Sequence, residues 1–162
     1  MSTTVRRIVY PKNYNPIIEY WNWISENKAK GKDVVSLKVY KVDKHLVDII
    51  NNPKSEWEYS GRKANHAIEF VENYCKHSKG SMGGKPFIME LWQKALVAAT
   101  FGIVHKIEGT RKYREVMLVV ARKNGKSTLA SAIGLYMMIA DGEPGPEIYA
   151  CAKKRGTLYR NV

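Results

Sequence analysis

Cysteine is nearly missing from this chain. Only Cys75 and Cys151 occur among 162 residues, far apart in sequence. Two lone cysteines build neither a disulfide framework nor a thiolate metal cluster. Free cysteine behaves as a small buried hydrophobe, so both are expected to be reduced thiols of a cytosolic protein. The four histidines, His45, His66, His77 and His105, are scattered without paired-ligand spacing, and side chains alone suggest no metal site. No apolar run approaches the roughly 20 residues that span a bilayer, so no membrane role is expected. The opening MSTTVRRIVY has arginines but no apolar run behind them, unlike a secretory leader. Internal repeats and low-complexity tracts are lacking too.

Acidic residues are the other shortage. Lys and Arg number 27 against 15 Asp and Glu, a formal charge of +12. Such a surplus favours polyanionic partners, whether nucleic acid, nucleotide or acidic lipid. With 44% hydrophobic and 26% charged residues the balance is globular, and the length suits one domain or a small domain plus part of another.

The first 80 residues read as mainly helical. Asn15-Pro16 is an N-cap followed by proline at the first helical position. Ile17, Tyr20, Trp21 and Ile24 then fall at helical spacing, and Gly31 ends the element. Asp33 is expected to cap a second helix carrying Val34, Leu37, Tyr40, Val42, Leu46, Val47 and Ile50 up to Asn51-Asn52-Pro53. A third helix is expected from about 61 to 77, with Ala64, Ala67, Ile68, Val71, Tyr74 and Cys75 on one stripe. The aromatic residues here suit a core better than a base-stacking platform.

The glycine-rich stretch KGSMGGKP, residues 79–86, marks the expected boundary between a helical region over 1–80 and a second region over 81–162. A helix within FIMELWQKALVAATFG is closed by Gly102, and Glu108-Gly109 suggests a turn. The continuous apolar run from about Val116 to Ala121 suits a strand buried on both faces. A helix from Lys126 to Ala140 follows, with Leu129, Ile133 and Met137 on its stripe. After the turn DGEPGP, the run EIYACA at 147–152 reads as a second short strand, and a further helix is expected to begin after it. Strand, loop, helix, turn and strand make one βαβ unit, which implies a parallel sheet and an α/β class.

Between the first strand and its helix lies Arg122-Lys123-Asn124-Gly125-Lys126-Ser127-Thr128. A loop at a helix N-terminus presents free N–H groups and the positive end of the helix dipole to an anion. Gly125 permits a tight turn against a phosphate, Lys126 is a point charge for β- and γ-phosphates, and the Ser127 hydroxyl suits Mg²⁺, supported by Thr128. Arg122 is placed to put a guanidinium on a γ-phosphate in the transition state. The bare tripeptide recurs by chance, and Val120 stands where the general phosphate-loop pattern has its first glycine.

The stretch ARKNGKSTLASAIGLYMMIADGEPGPEIYACA resembles the ATPase of tailed-phage terminase large subunits, in which that first glycine is commonly replaced. GKPFIMELWQKALVAATFG resembles the adenine-recognition stretch of the same family, with Leu91 where proline is common. AIEFVENYCKHSKG resembles the helix before it. The likeness runs from roughly 57 to 152 and fades after Ala152. It implies a helical N-terminal region followed by the start of a RecA-like P-loop sheet, with ATP and Mg²⁺ as cofactors. It further implies that Trp92 and Gln93 face adenine and that Arg122, Lys123, Asn124, Gly125, Lys126, Ser127 and Thr128 hold phosphates, with Ser127 on the metal. Arg122 then acts as a γ-phosphate sensor in its own subunit or across a ring.

Double-stranded DNA, the small terminase subunit, the portal and further copies in a ring are the implied partners, and the host cytoplasm is the implied location. No apolar strand ending in paired carboxylates follows the loop before Val162, and no acidic nuclease cluster appears. The chain is therefore expected to be an N-terminal portion that binds nucleotide weakly at best and does not turn it over. The alternatives are another P-loop translocase, a helicase-like ATPase or small kinase, and a non-catalytic basic helical module that binds DNA phosphates.

Overall fold

Asn15 starts the first helix as the sequence requires. Its Oδ1 accepts the Ile17 and Ile18 N–H groups, and Pro16 opens α1, Pro16–Ala29. Such a cap contributes about 1 kcal/mol. In this computed structural model, which describes residues 7–78, 80–122, 124–142 and 144–149, α1 is followed by α2 (Leu37–Asn51), β1 (Trp57–Tyr59), α3 (Gly61–Tyr74), a 3₁₀ turn at 80–82, α4 (Leu91–Gly102), β2 (Ile103–His105) and α5 (Lys126–Ile139). The described residues are mainly helical with a small two-stranded sheet.

Helix α4 is the centre. Its Ala95, Val97, Ala98, Ala99 and Phe101 are buried, and it packs against α1 and α3. At Gly102 the chain runs so close to α3 that an added Cβ would lie 2.8 Å from the Ala64 Cβ. One cluster of buried side chains runs from Ile17 through Ile68 and Val97 to Tyr136, so residues on both sides of the 79–86 stretch share a core. Across that stretch, Lys76 bridges Pro86, the His77 N–H donates to the Lys85 carbonyl and the Gly84 N–H to the His77 carbonyl.

Several expectations need correction. Ser36, not Asp33, caps α2, its Oγ accepting the Val39 N–H. The buried face of α2 is Asp43, Leu46 and Ile49, which leaves Leu37 and Val42 exposed. Helix α3 stops at Tyr74, which is exposed, while Cys75 forms its buried C-cap. The buried stripe of α5 is Leu129, Ala132 and Tyr136 rather than Leu129, Ile133 and Met137.

The sheet of the described residues is the antiparallel pair β1–β2, with Trp57 opposite His105, Glu58 opposite Val104 and Tyr59 opposite Ile103. The strand expected at 116–121 is absent among the described residues. That segment runs unpaired, with Met117 and Val119 91% and 86% exposed. A doubly buried strand needs partners on both edges and layers on both faces, and the described residues provide neither. Residues 147–149 are likewise not strand. Positions 150–152, Cys151 and the expected last helix lie outside the described residues.

Two buried carboxylates behave oppositely. Glu72 is 2% exposed. It accepts from the Tyr10 hydroxyl at 2.6 Å and the Met89 N–H at 2.9 Å, and it pairs with Lys94 at 3.2 Å. Asp43, between α1 and α2, bonds to no donor and pairs with no cation among the described residues. Burial pushes its carboxyl up to about 6 from an ordinary 3.8.

Two outcomes follow from that contrast. Glu72→Ala leaves Lys94, Tyr10 and the Met89 N–H without their acceptor, and should cost about 3–5 kcal/mol in urea unfolding. For Asp43, the folded chain holds a proton up to about pH 6 while the unfolded chain releases it near 3.8. The folded state therefore binds more protons in that window, and this contribution to stability is present below 3.8 and lost as pH rises through 6. Asp43→Asn should raise stability at pH 7 by about 1 kcal/mol, water at the rim screening the full shift. The gain should vanish at pH 3.5, as thermal melts at both pH values will show.

Candidate functional site

The loop before α5 ends in an unusual cap. Gly125 stands at the N-cap with φ 68° and ψ 7°, the left-handed region that strongly favours glycine. It has no side chain to cap the helix. The first intrahelical bond is Leu129 N–H to the Gly125 carbonyl at 2.9 Å. The N–H groups of Lys126, Ser127 and Thr128 thus have no helical acceptor, and they lie at the positive end of a 14-residue helix. Arg122, Asn124, Lys126 and Ser127 are exposed and Thr128 is half-buried. The side chains suited to phosphate therefore face solvent together with the unsatisfied N–H groups. Lys123, also assigned to the loop by the sequence, lies outside the described residues.

Helix α5 is held to the body by buried Leu129, Ala132 and Tyr136, with polar contacts at its C-terminal end. The Tyr136 hydroxyl bonds His66 Nδ1 at 3.1 Å, and its ring meets Phe101 edge-on with centroids 4.9 Å apart. Burial pushes that hydroxyl up to about 12. Asp141, just past the helix, pairs with Arg111 at 2.9 Å, and the Arg111 guanidinium lies over the Phe101 ring. A cavity of about 970 Å³ lies at this end, lined by Lys12, Arg62, Lys63, Phe101 and Tyr136 among others. No described residue of the 122–128 loop lines it. Tyr136 is ten residues beyond Lys126, about 15 Å along the helix.

At the other end of α5 the loop meets α4. Trp92 is half-buried and packs on the core, and Gln93 is 4% exposed. An added Cβ on Gly125 would lie 3.4 Å from Gln93 Nε2, so the structure brings Gln93 against the loop. Gln93 is the third residue of α4, and its Oε1 accepts the Glu90 N–H at 2.9 Å. The Gln93 N–H in turn donates to the Glu90 carbonyl at 2.9 Å. Glu90 is thus a residue that sequence reasoning passed over. Its signal was present: glutamine three residues after a helix cap is one half of a capping box. Glu72 and Lys94 were also passed over. Through Met89 they fix the chain just ahead of Glu90. A glutamate four residues after Ile68, on an otherwise apolar stripe, was the available clue.

Groups of three or more His, Cys, Asp or Glu with metal-holding geometry are absent among the described residues. No helix among them is long and apolar enough to cross a membrane.

Gly125→Ala should strain the left-handed cap and press a methyl against Gln93 Nε2. A loss of about 1–2 kcal/mol in stability is expected, read from chemical denaturation, with a larger loss of any anion binding at α5.

No curated protein and no solved structure matches the chain. Residues 91–158 match a family model described as terminase large subunit, ATPase domain. The matched segment begins at the first residue of α4, takes in Trp92, Gln93, the 122–128 loop and α5, and runs six residues past the likeness read from the sequence. By this match the chain is recognised, over residues 91–158, as similar to the ATPase domain of a terminase large subunit.

Proposed function

We propose that Arg122 to Thr128 form a variant P-loop (Walker A) that binds the phosphates of ATP with Mg²⁺. We further propose that the chain is the N-terminal portion of a tailed-phage terminase large subunit, with 1–80 a helical region and 81–162 the first part of the ATPase domain. The observation that carries this reading is the placement of an uncapped, left-handed-glycine helix start and an exposed Lys126 inside the segment that matches the terminase ATPase domain. Oxyanions suit such a helix start because three N–H donors and the dipole point at one place.

In this reading Lys126 places its charge on the β- and γ-phosphates, and Asn124 and Gly125 shape the backbone around them. Ser127 holds the metal through its hydroxyl with Thr128 beside it, and Lys123 adds charge to the loop. Bound Mg²⁺ neutralises charge on the phosphate oxygens. Arg122 stabilises charge at the γ-phosphate, in its own subunit or across a ring. In the complete protein, nucleotide turnover would drive double-stranded DNA into a prohead in the host cytoplasm, with the small subunit and portal as partners. The +12 charge favours DNA.

Titration of the chain with a fluorescent ATP analogue in Mg²⁺ tests the reading. Lys126→Ala should weaken binding about tenfold or more, since a charge-assisted contact is lost. Arg122→Ala should weaken ATP more than ADP. Binding indifferent to Lys126 would overturn the proposal. The 162-residue chain should bind without turnover, and ATP hydrolysis abolished by Lys126→Ala would refute that part.

A further inference from the structure

The hexapeptide 89–94 is tied at both ends to one carboxylate. Glu72 Oε1 accepts the Met89 N–H at 2.9 Å and pairs with the Lys94 ammonium at 3.2 Å. Its Oε2 accepts the Tyr10 hydroxyl at 2.6 Å, and Lys94 donates to that same hydroxyl at 2.7 Å. Met89 stands two residues ahead of α4, and Lys94 is the fourth residue of the helix. One tie therefore fixes the backbone as it enters α4, and the other fixes the face that the first turn presents. Trp92 and Gln93 lie between them. Glu72 is 2% exposed on α3, so it can act on a bound molecule only through these ties.

What the bracketed turn holds out is Gln93. Its Nε2 lies 3.4 Å from where a Gly125 Cβ would stand, at the N-terminus of α5. Nε2 has no hydrogen-bond partner among the described residues and is not sealed from solvent. Oε1 accepts the Glu90 N–H at 2.9 Å and keeps a second lone pair. A carboxamide with a donor and a remaining acceptor matches the adenine edge, where N7 accepts and the 6-amino group donates. That match is directional, so a rotation of the turn bearing Gln93 loses it while leaving the loop itself intact. We propose that Glu72 is a positioning residue for nucleotide recognition: through Met89 and Lys94 it holds the first turn of α4 at the rotation that sets the Gln93 amide for the base. This inference rests on the reading of 122–128 as a phosphate loop and on the placing of Gln93 at the adenine edge.

The test uses the full 162-residue chain with Mg²⁺ and two probes, ATP and inorganic tripolyphosphate, which has no base. Glu72→Gln keeps an oxygen for the Met89 N–H and removes the charge facing Lys94. Lys94→Met keeps an unbranched apolar chain and removes the ammonium. Each is made alone and together with Gln93→Met, and melting temperatures confirm that every protein is folded at the temperature of the titration. Where a substitution in the charge pair prevents folding, Tyr10→Phe takes its place, since it withdraws one hydroxyl from both partners and leaves the pair.

Glu72→Gln, Lys94→Met and Gln93→Met should each weaken ATP about tenfold, the loss of one directional contact, and leave tripolyphosphate within about twofold. Tyr10→Phe should weaken ATP about threefold on the same pattern. In the Gln93→Met background the Glu72 and Lys94 changes should cost ATP little more, because residues that act through one contact are not additive. A tripolyphosphate loss equal to the ATP loss, or ATP losses that multiply with Gln93→Met, would overturn the proposal and leave Glu72 a purely structural tie. So would folded variants that bind ATP as tightly as the unmodified chain. If the phosphate-loop reading itself is wrong, the unmodified chain binds neither probe or ignores Lys126→Ala. If only this inference is wrong, Lys126 dependence remains while the ATP-selective, non-additive loss at Glu72 is missing.

Discussion

The Glu72 carboxylate is the tie on which the rest of the molecule depends. It is a buried anion on α3 that gathers the Tyr10 hydroxyl, the Met89 N–H and the Lys94 ammonium from three separate parts of the chain. Lys94 closes the network by donating to the Tyr10 hydroxyl at 2.7 Å. A buried charge is tolerated only when it is paired and its lone pairs are satisfied, so these partners constrain one another. The segment ahead of α1 is fastened along the same helix. Asn73 bonds both the N–H and the carbonyl of Ile8, Glu69 accepts the Tyr10 N–H, and Asn65 donates to the Pro11 carbonyl. With Met89 held by Glu72, the start of α4 has a fixed position, and with it Glu90 and Gln93.

That position matters because α5 touches the body in few places. It packs on α3 through Leu129, Ala132 and Tyr136. Its far end is secured by the His66–Tyr136 bond and the Arg111–Asp141 pair. At its near end the loop meets Gln93. The 122–128 loop thus sits between the start of α4 and a helix whose first turn is already buried at Leu129. Such a helix start can meet an anion with its donors already in place, which saves ordering entropy on binding.

The segment leading into the loop is the counterexample. Val116 to Ala121 has the composition of a central strand but runs exposed and unpaired. Hydrophobicity fixes what a segment needs to bury, not what is there to bury it. Strand formation depends on hydrogen-bond partners from elsewhere in the chain. By contrast, β1 and β2 are only three residues each. They pair because α3 and α4 bring Tyr59 and Ile103 alongside, and neither carries a period long enough to read in advance.

Local chemistry was legible in the sequence: Asn15-Pro16 starting α1, the closure of α4 at Gly102, and glycine then lysine at the start of α5. These depend on contacts within one turn, so residue type alone decides them. Faces and partners were not. Asp33 lost the cap of α2 to Ser36, and the buried stripe of α5 turned from Ile133 and Met137 to Ala132 and Tyr136, because neighbouring helices select which side is covered. Glutamine at position 93 was visible from the start. That its nitrogen lies beside Gly125 is a matter of two helices meeting, and only the tertiary structure decides it.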